Sequence, residues 1–450
     1  MTYRDAAAYL ASLVDYERRP PTVPGRDFNL DRMRRLLDLA GNPHRHLRAL
    51  HIAGTKGKGS TAAMTAAILT AAGFRTGLYT SPHLVDFRER IRINGEMIPR
   101  VAVARWVARI RPWLESLRDS VVGKPTFFEA YTLLAFCHFL EAKTDFVVLE
   151  VGLGGRLDAT NVVTPVATAI TALGLDHTNL LGDTIEQIAA EKGGVMKPGV
   201  PVVLAPHPAA RAVLRRQAEE RGAPVITVRR GRVSGPPSGR SVVVESLRSD
   251  ARSARFHLRG LLRTYRNLRV ALGGEHQAVN AAVAVALTEL ATRDAHPVTD
   301  HSVRCGLAMV HWPGRLQVVQ RRPTVVLDAA HDALSARILA RSLRGLFRWR
   351  RLILVVGMSA EKDAAAFLRA LAPLADEVIC TAADTPRALP PESLGALAAR
   401  HRTPWRAVPR VRDAVRSAVR DAQPNDLVCV TGSVYVVGEA LAALKGGATA

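Results

Sequence analysis

The chain is poor in several residue types, and each shortage excludes something. Four cysteines occur in 450 residues, Cys137, Cys305, Cys380 and Cys429, and no two form a CxxC pair. That spacing argues against a disulfide framework or a thiolate zinc site and for reduced core cysteines in a cytoplasmic protein. Aromatic residues make up 5% of the sequence, too few to supply stacking platforms for single-stranded nucleic acid. No apolar run reaches the ~18 residues that a membrane span needs, and the first ten residues lack the charged-then-apolar layout of a signal peptide. No membrane partner is expected. Acidic residues are also short, 40 against 62 Lys plus Arg, for a net charge of +22. The basic residues are almost all arginine and lie scattered, so the charge reads as affinity for anionic small molecules, with nucleic acid a minority option. Lysine is scarce, at 56, 58, 124, 143, 192, 197, 362 and 445. A lysine kept in an arginine-rich chain marks a place where a guanidinium fails.

What is present is a globular composition, 48% hydrophobic, on a chain long enough for two domains. The stretch His51-Ile-Ala-Gly-Thr-Lys-Gly-Lys-Gly-Ser60 follows a short apolar run and opens an alanine-rich helical pattern. Strand, glycine-rich turn and helix in that order gather backbone N–H groups and the positive end of a helix dipole at one point, which suits a phosphate. Gly54, Gly57 and Gly59 allow close approach, Lys58 supplies charge, and Ser60 or Thr61 offers a hydroxyl to Mg²⁺. The match to a P-loop is incomplete, with Ile52 in place of the first glycine and Gly59 in place of the hydroxyl residue. Taken alone, the stretch is a phosphate loop or a glycine-rich turn without a ligand.

Along the chain, residues 1–46 read as two helices around a proline-rich loop. Arg88, Arg90 and Arg92 alternate, as on a strand face that is either solvated or anion-facing. Thr126 and Glu129 form a capping box ahead of an apolar helix, and Asp183 with Glu186 another. A buried strand at 145–150 ends in Glu150, where a Mg²⁺-binding acid would stand beyond the carboxyl ends of a parallel sheet. A strand at 166–173 delivers Asp176 and His177 to the same edge, with His177 a ligand or an ordinary loop histidine. Residues 225–275 suggest a small antiparallel meander, and polar residues 293–300 an interdomain linker. Strands at 324–327, 352–356, 377–380 and 427–431 alternate with helices, giving a second α/β domain. Two strand-edge sites on two domains suggest a reaction in the cleft between them.

In this order the motifs resemble the folylpolyglutamate synthase/dihydrofolate synthase family, within the Mur ligase superfamily. The most specific strings are His51-x-Ala-Gly-Thr-x-Gly-Lys-Gly-Ser60 and Leu149-Glu-Val-Gly-Leu-Gly-Gly-Arg-Leu-Asp-Ala-Thr-Asn161. Gly77-Leu-Tyr-Thr-Ser-Pro-His83, His276-Gln-x-x-Asn280, Trp312-Pro-Gly-Arg-Leu316 and Asp328-x-Ala-His331 support them.

The resemblance implies an α/β protein: a P-loop-type ATPase domain (1–296) with a mainly parallel sheet and the meander, then a smaller Rossmann-like domain (297–450). It implies a monomeric ATP-dependent ligase adding L-glutamate to a dihydropteroate or reduced folate carboxylate through an acyl phosphate. Gly54, Thr55, Gly57, Lys58, Gly59, Ser60, Asn280, Arg315 and Asp328 would contact ATP. Ser60, Ser81, Glu150, His177 and Lys192 would serve two Mg²⁺ ions, with Lys192 carbamylated. Lys58, His177 and Lys192 would carry the chemistry. Asp158 and Asn161 fall in the loop that meets the pterin, and His331 and Ser433 on the glutamate side. Three positions depart from the family pattern: Lys56 adds a positive charge, Ala329 replaces a glycine, and Asp332 adds a negative charge. They leave open a Mur-type ligase for another acid and amino acid, or a weakly catalytic nucleotide-binding relative.

Overall fold

The computed structural model describes residues 1–17, 28–205, 207–232, 239–293 and 296–445. The proline-rich loop expected in the first 46 residues falls largely outside them. Eleven strands form one sheet: β1 (Ala49–Ala53), β2 (Thr76–Tyr79), β3 (Ile91–Ile93), β4 (Glu96–Met97), β5 (Phe146–Glu150), β6 (Ala167–Ile170), β7 (Val202–Leu204), β8 (Val225–Arg230), β9 (Ser241–Ser249), β10 (Ala254–Arg259) and β11 (Thr264–Val270). Their spatial order is β11-β10-β9-β8-β7-β6-β1-β5-β2-β3-β4. β1 is central and pairs in parallel with β5 and β6, so β1, β5 and β6 end at one edge. The meander is therefore the continuation of the large sheet. Its first member, β8, pairs in parallel with β7 and β9, and within the meander the antiparallel pairs are β9–β10 and β10–β11.

The central strands are buried throughout and mostly apolar, because both faces are covered. Leu50 and Ile52 of β1 and Phe146 and Val148 of β5 face one core, while Ala49, Val147 and Leu149 face the other. Of the first seven helices in order, α1 (Tyr3–Ser12), α2 (Leu30–Leu39), α4 (Arg100–Ser116) and α5 (Phe127–Glu141) cover that second face. The first face takes α3 (Lys58–Ala71), and α6 (Thr178–Leu181) and α7 (Ile185–Gly193) follow β6. After α8 (Arg211–Glu220), α9 (His276–Thr292) and α10 (Asp300–Met309) join α3 on the first face. Helix α10 packs so closely that a Cβ at Gly306 would stand 2.5 Å from Ile68 Cα. Val298, Val303, Leu307 and Val310 pack in the same core as β1 and α3.

The second sheet contains β12 (Gln317–Arg321), β13 (Thr324–Leu327), β14 (Leu352–Val356), β15 (Glu377–Ala382), β16 (Trp405–Arg410) and β17 (Leu427–Thr431), in the order β12-β13-β17-β14-β15-β16. Helices α11 (Ala333–Leu346), α12 (Ala364–Leu371) and α13 (Pro391–Ala399) cover one face, and α14 (Val411–Asp421) and α15 (Val434–Lys445) the other. Sequence reading missed β12, β16, α14 and α15. The signal for α14 is there, since Val411, Ala414, Val415 and Ala418 keep helical spacing among the arginines and are buried. β16 is an edge strand and tolerates Pro409 for that reason.

Two local expectations shift. The box at α7 is made by Thr184 and Gln187, one residue beyond Asp183 and Glu186. Arg88 and Arg90 lie in a 3₁₀ turn and not along a strand; Arg88 pairs with Asp86, and the buried Arg90 holds Glu17 at 2.5 Å. Neither is a free anion ligand. Of the cysteines, Cys137, Cys380 and Cys429 are buried as expected, whereas Cys305 is half-exposed on α10.

Candidate active site

The turn from β1 to α3 is built by crowding as much as by flexibility. Gly54 and Gly57 adopt φ of +145° and +86°, conformations costly for any residue with a Cβ. A Cβ at Gly54 would stand 1.9 Å from Thr171 Oγ1, and one at Gly57 would stand 2.5 Å from Asn280 Oδ1. Gly59 has a different reason: its Cβ would approach the Trp312 ring to 2.8 Å and Glu150 Oε2 to 3.2 Å. The amides of Thr55 and Lys56 both donate to Ala172 O at 2.9 Å, tying the turn to the end of β6. Gly57 precedes α3 with no side-chain cap, so the first helical amides are left for an anion.

Glu150 stands at the end of β5, buried, and its Oε2 accepts the Ser81 amide at 3.2 Å. Burial pushes its carboxyl up to about 7, against the pull of Lys58. The same burial lowers the Lys58 ammonium. Ser60 is buried beside them, and Thr61 Oγ1 is buried without a hydrogen-bond partner. A carboxylate, hydroxyls and exposed helix amides fit a phosphate chain carrying a hard cation.

Lys192, at the end of α7, is only 5% exposed, and burial and the Lys58 charge bring its ammonium down to about 7. The 151–155 loop lets α7 approach, since a Cβ at Gly155 would lie 2.9 Å from Lys192 Cα. His177 has φ of +51° ahead of α6, and burial holds its imidazole neutral, near 3.

Of these groups, Ser81 and His177 open onto a cavity of about 380 Å³ between the two units. Ser81, Asp158, His177, His331 and Ser433 line it. Asn161 does not: its Nδ2 donates to the carbonyls of Arg156 and Gly194, which fastens the loop from behind. Asp158 is likewise occupied, accepting from Leu153 N at 2.9 Å and from the amide and hydroxyl of Thr160. Asp328 Oδ2 accepts from Leu316 N at 2.8 Å, bracing the turn that carries Arg315, and its Oδ1 accepts from Ala330 N at 2.9 Å within its own loop. Asn280 lies against Gly57 and is anchored on Gln277 at 3.0 Å.

Sequence reasoning missed much of the cavity wall. Tyr16, Phe28, Phe128 and Tyr435 supply flat apolar surface, and Arg32, Arg156, Lys362 and Arg387 supply positive charge. Arg32 pairs with Glu129 at 2.7 Å, both buried, so the α5 capping box also anchors α2. Arg387 of the second unit donates to the Glu17 carbonyl of the first. Such pairings join residues up to 370 positions apart, and no local pattern announces them.

A nucleotide loop facing a second α/β unit across a substrate-sized cleft defines an ATP-dependent ligase. The Mur ligase middle-domain family matches residues 52–288, and the Mur ligase glutamate ligase domain matches residues 314–434. The dihydrofolate synthase/folylpolyglutamate synthase of Bacillus subtilis is 34% identical over 98% of this chain and 99% of its own. The Mycobacterium tuberculosis folylpolyglutamate synthase complexed with ADP and AMPPCP superposes with a TM-score of 0.87 at 33% identity, covering 98% of this chain and 99% of that one. E. coli FolC in complex with DHPP and ADP gives 0.84 at 31% identity, covering 99% and 98%. The chain belongs to the folylpolyglutamate synthase/dihydrofolate synthase family of Mur ligases. The expected fold class holds, and among the described residues no helix is long and apolar enough to cross a membrane.

Proposed function

We propose that this chain joins L-glutamate to the carboxylate of a dihydropteroate or reduced folate, splitting ATP to ADP and phosphate. One observation carries the reading: the cavity lined by Tyr16, Phe28 and Phe128 opens onto the edge that holds the glycine-rich turn. Aromatic walls suit a flat heteroaromatic acceptor, and arginines nearby suit its carboxylates.

In this scheme the acceptor carboxylate oxygen attacks the γ-phosphorus and ADP leaves, giving an acyl phosphate. The glutamate amine then attacks the acyl carbon, phosphate departs, and the amine gives up a proton. Lys58 and the amides from Gly57, Gly59 and Ser60 hold the phosphates, with Gly54 and Thr55 shaping the turn around them, and alignment and charge supply most of the rate. Asn280 and Arg315 reach the nucleotide from α9 and the second unit, and Asp328 positions Arg315. Ser60, Ser81 and Glu150 would hold one Mg²⁺, and His177 with Lys192 a second, adding positive charge beside the phosphate oxygens. A neutral His177 has a lone pair free for that task. Lys192, brought down to about 7, offers a free amine that adds to CO₂ and loses a proton, giving a carbamate oxygen ligand. His331 and Ser433 face the glutamate, while Asp158 and Asn161 keep the acceptor loop in shape. The unit boundary falls between Val310 and Leu316, where the first core ends and the second begins.

The test is ATP turnover with L-glutamate and either 7,8-dihydropteroate or a reduced folate, read as phosphate release and product mass. Glutamylated product is expected, with Lys58→Ala and Lys192→Ala each lowering kcat by about 10²–10³-fold. ATP binding without product from either acceptor would overturn the reading.

A further inference from the structure

The extra charges at positions 56 and 332 meet in space. Lys56 follows β1 in the nucleotide turn of the first unit, and Asp332 caps α11 of the second. The Lys56 ammonium contacts Asp332 Oδ2 directly and lies 3.2 Å from Asp176 Oδ2. Lys362, from the loop after β14, approaches Asp176 Oδ1 at 2.5 Å. The side chains of all four are 10–17% exposed. Two ammonium groups and two carboxylates therefore alternate across the cleft.

His331 completes the arrangement. Its Nδ1 lies 2.9 Å from Ala329 O and donates to it, so Nε2 is left to accept from Lys56 Nζ at 3.0 Å. Asp176, His331 and Asp332 offer three donor atoms within 4.8 Å of one another, as a cation site would. The Lys56 ammonium bonds to all three residues, so the cluster already carries its cation. The other departure is benign, since Ala329 lies outside the positive-φ region and needs no glycine.

We propose that Lys56 cancels the Asp332 charge across the cleft and thereby keeps the amino-acid side of the site open to the two carboxylates of glutamate. The two departures act as one neutral pair. Lys56 and Asp332 are positioning residues, and the inference rests on the glutamate-ligase reading above. Losing one partner leaves a nearly buried charge unmatched beside the substrate; losing both leaves none.

The experiment is a double-mutant cycle in the full chain, with Lys56→Asn, Asp332→Asn and the double variant assayed for kcat and for KM toward L-glutamate and ATP. Lys56→Asn is expected to raise KM for glutamate tenfold or more, with kcat and the ATP KM moving less than threefold. The double variant is expected to return the glutamate KM to within threefold of the parent. A glutamate KM that is unmoved in Lys56→Asn, or that rises further in the double variant, overturns the pairing. A parent protein inactive with glutamate marks the failure of the ligase reading instead, so the two failures are separate.

Discussion

The two ends of the cleft are made differently. At the phosphate end, Gly54, Gly57, Lys58, Gly59 and Ser60 lie within seven residues, and one strand–turn–helix places them all. At the acceptor end, the walls come from at least six segments, among them Tyr16, Phe28, Phe128, Asp158, His177 and Tyr435. The phosphate end is a backbone device with almost no slack: a single methyl group at three of its glycines meets another atom within 2.8 Å. The acceptor end is a side-chain device, where a lost ring removes contact area and leaves the backbone in place. Damage should therefore be severe and specific to ATP at one end, and graded and specific to the acceptor at the other.

The harshest test is Gly57→Ala. Its Cβ meets a buried Asn280 fixed by Gln277, and its φ of +86° adds backbone strain, roughly 1–3 kcal/mol together. ATP affinity, measured by calorimetry with a non-hydrolysable analogue, is expected to fall about 5- to 150-fold. Gly73→Ala is the control, since it has φ of +92° but nothing within 4 Å, and it lies at the far end of α3. It should lower the melting temperature and leave ATP affinity alone. Equal losses of ATP affinity in both would mean that strain, not crowding, governs the turn.

That contrast also explains what the sequence revealed. The nucleotide turn, Glu150 at the end of β5 and the Thr126–Glu129 box were legible because each is written in neighbouring residues. The tie of α10 to α3 was not, because it depends on Gly306 meeting Ile68, more than two hundred residues earlier in the chain. Nor was the closing of the cleft by Lys56 and Asp332, although both residues had been singled out. Each looked like an uncompensated charge until the fold brought them together. The motif also marks Asn161, whose side-chain amide donates back into the protein, so a motif can mark a residue that shapes a wall it does not line.

His51 links the two ends, and its effect is of intermediate size. Its Nε2 donates to Thr160 Oγ1 at 2.8 Å, and Thr160 in turn donates to Asp158 of the acceptor loop. Nδ1 is buried without a partner, and burial holds the imidazole down to about 3, against an ordinary 6.5. Below pH 6.5 the unfolded chain takes up a proton that the native chain refuses. Stability from this residue is therefore full above 6.5 and declines as pH falls toward 3, by up to about 1.4 kcal/mol per pH unit. In urea unfolding, the margin of the parent over His51→Gln should shrink by about 1.4 kcal/mol from pH 7.5 to 5.5. A margin independent of pH would rule out a neutral His51.

The mildest effect belongs to the acceptor wall and sharpens the comparison most. Phe128 packs against Gly152, where a Cβ would come 2.6 Å from its ring, and its centroid is 6.0 Å from that of Tyr79. Phe128→Ala removes ring surface from the cavity while the Thr126 cap, the Arg32–Glu129 pair and the α5 backbone keep their own contacts. The lost stacking amounts to about 0.5–1.5 kcal/mol, so KM for the pteroate or folate acceptor should rise about 2- to 13-fold. KM for ATP should stay within twofold, because the nucleotide turn depends on none of these contacts. A parallel rise in both constants would mean that the two ends move as one body, and that the division between backbone and side-chain construction does not hold in function.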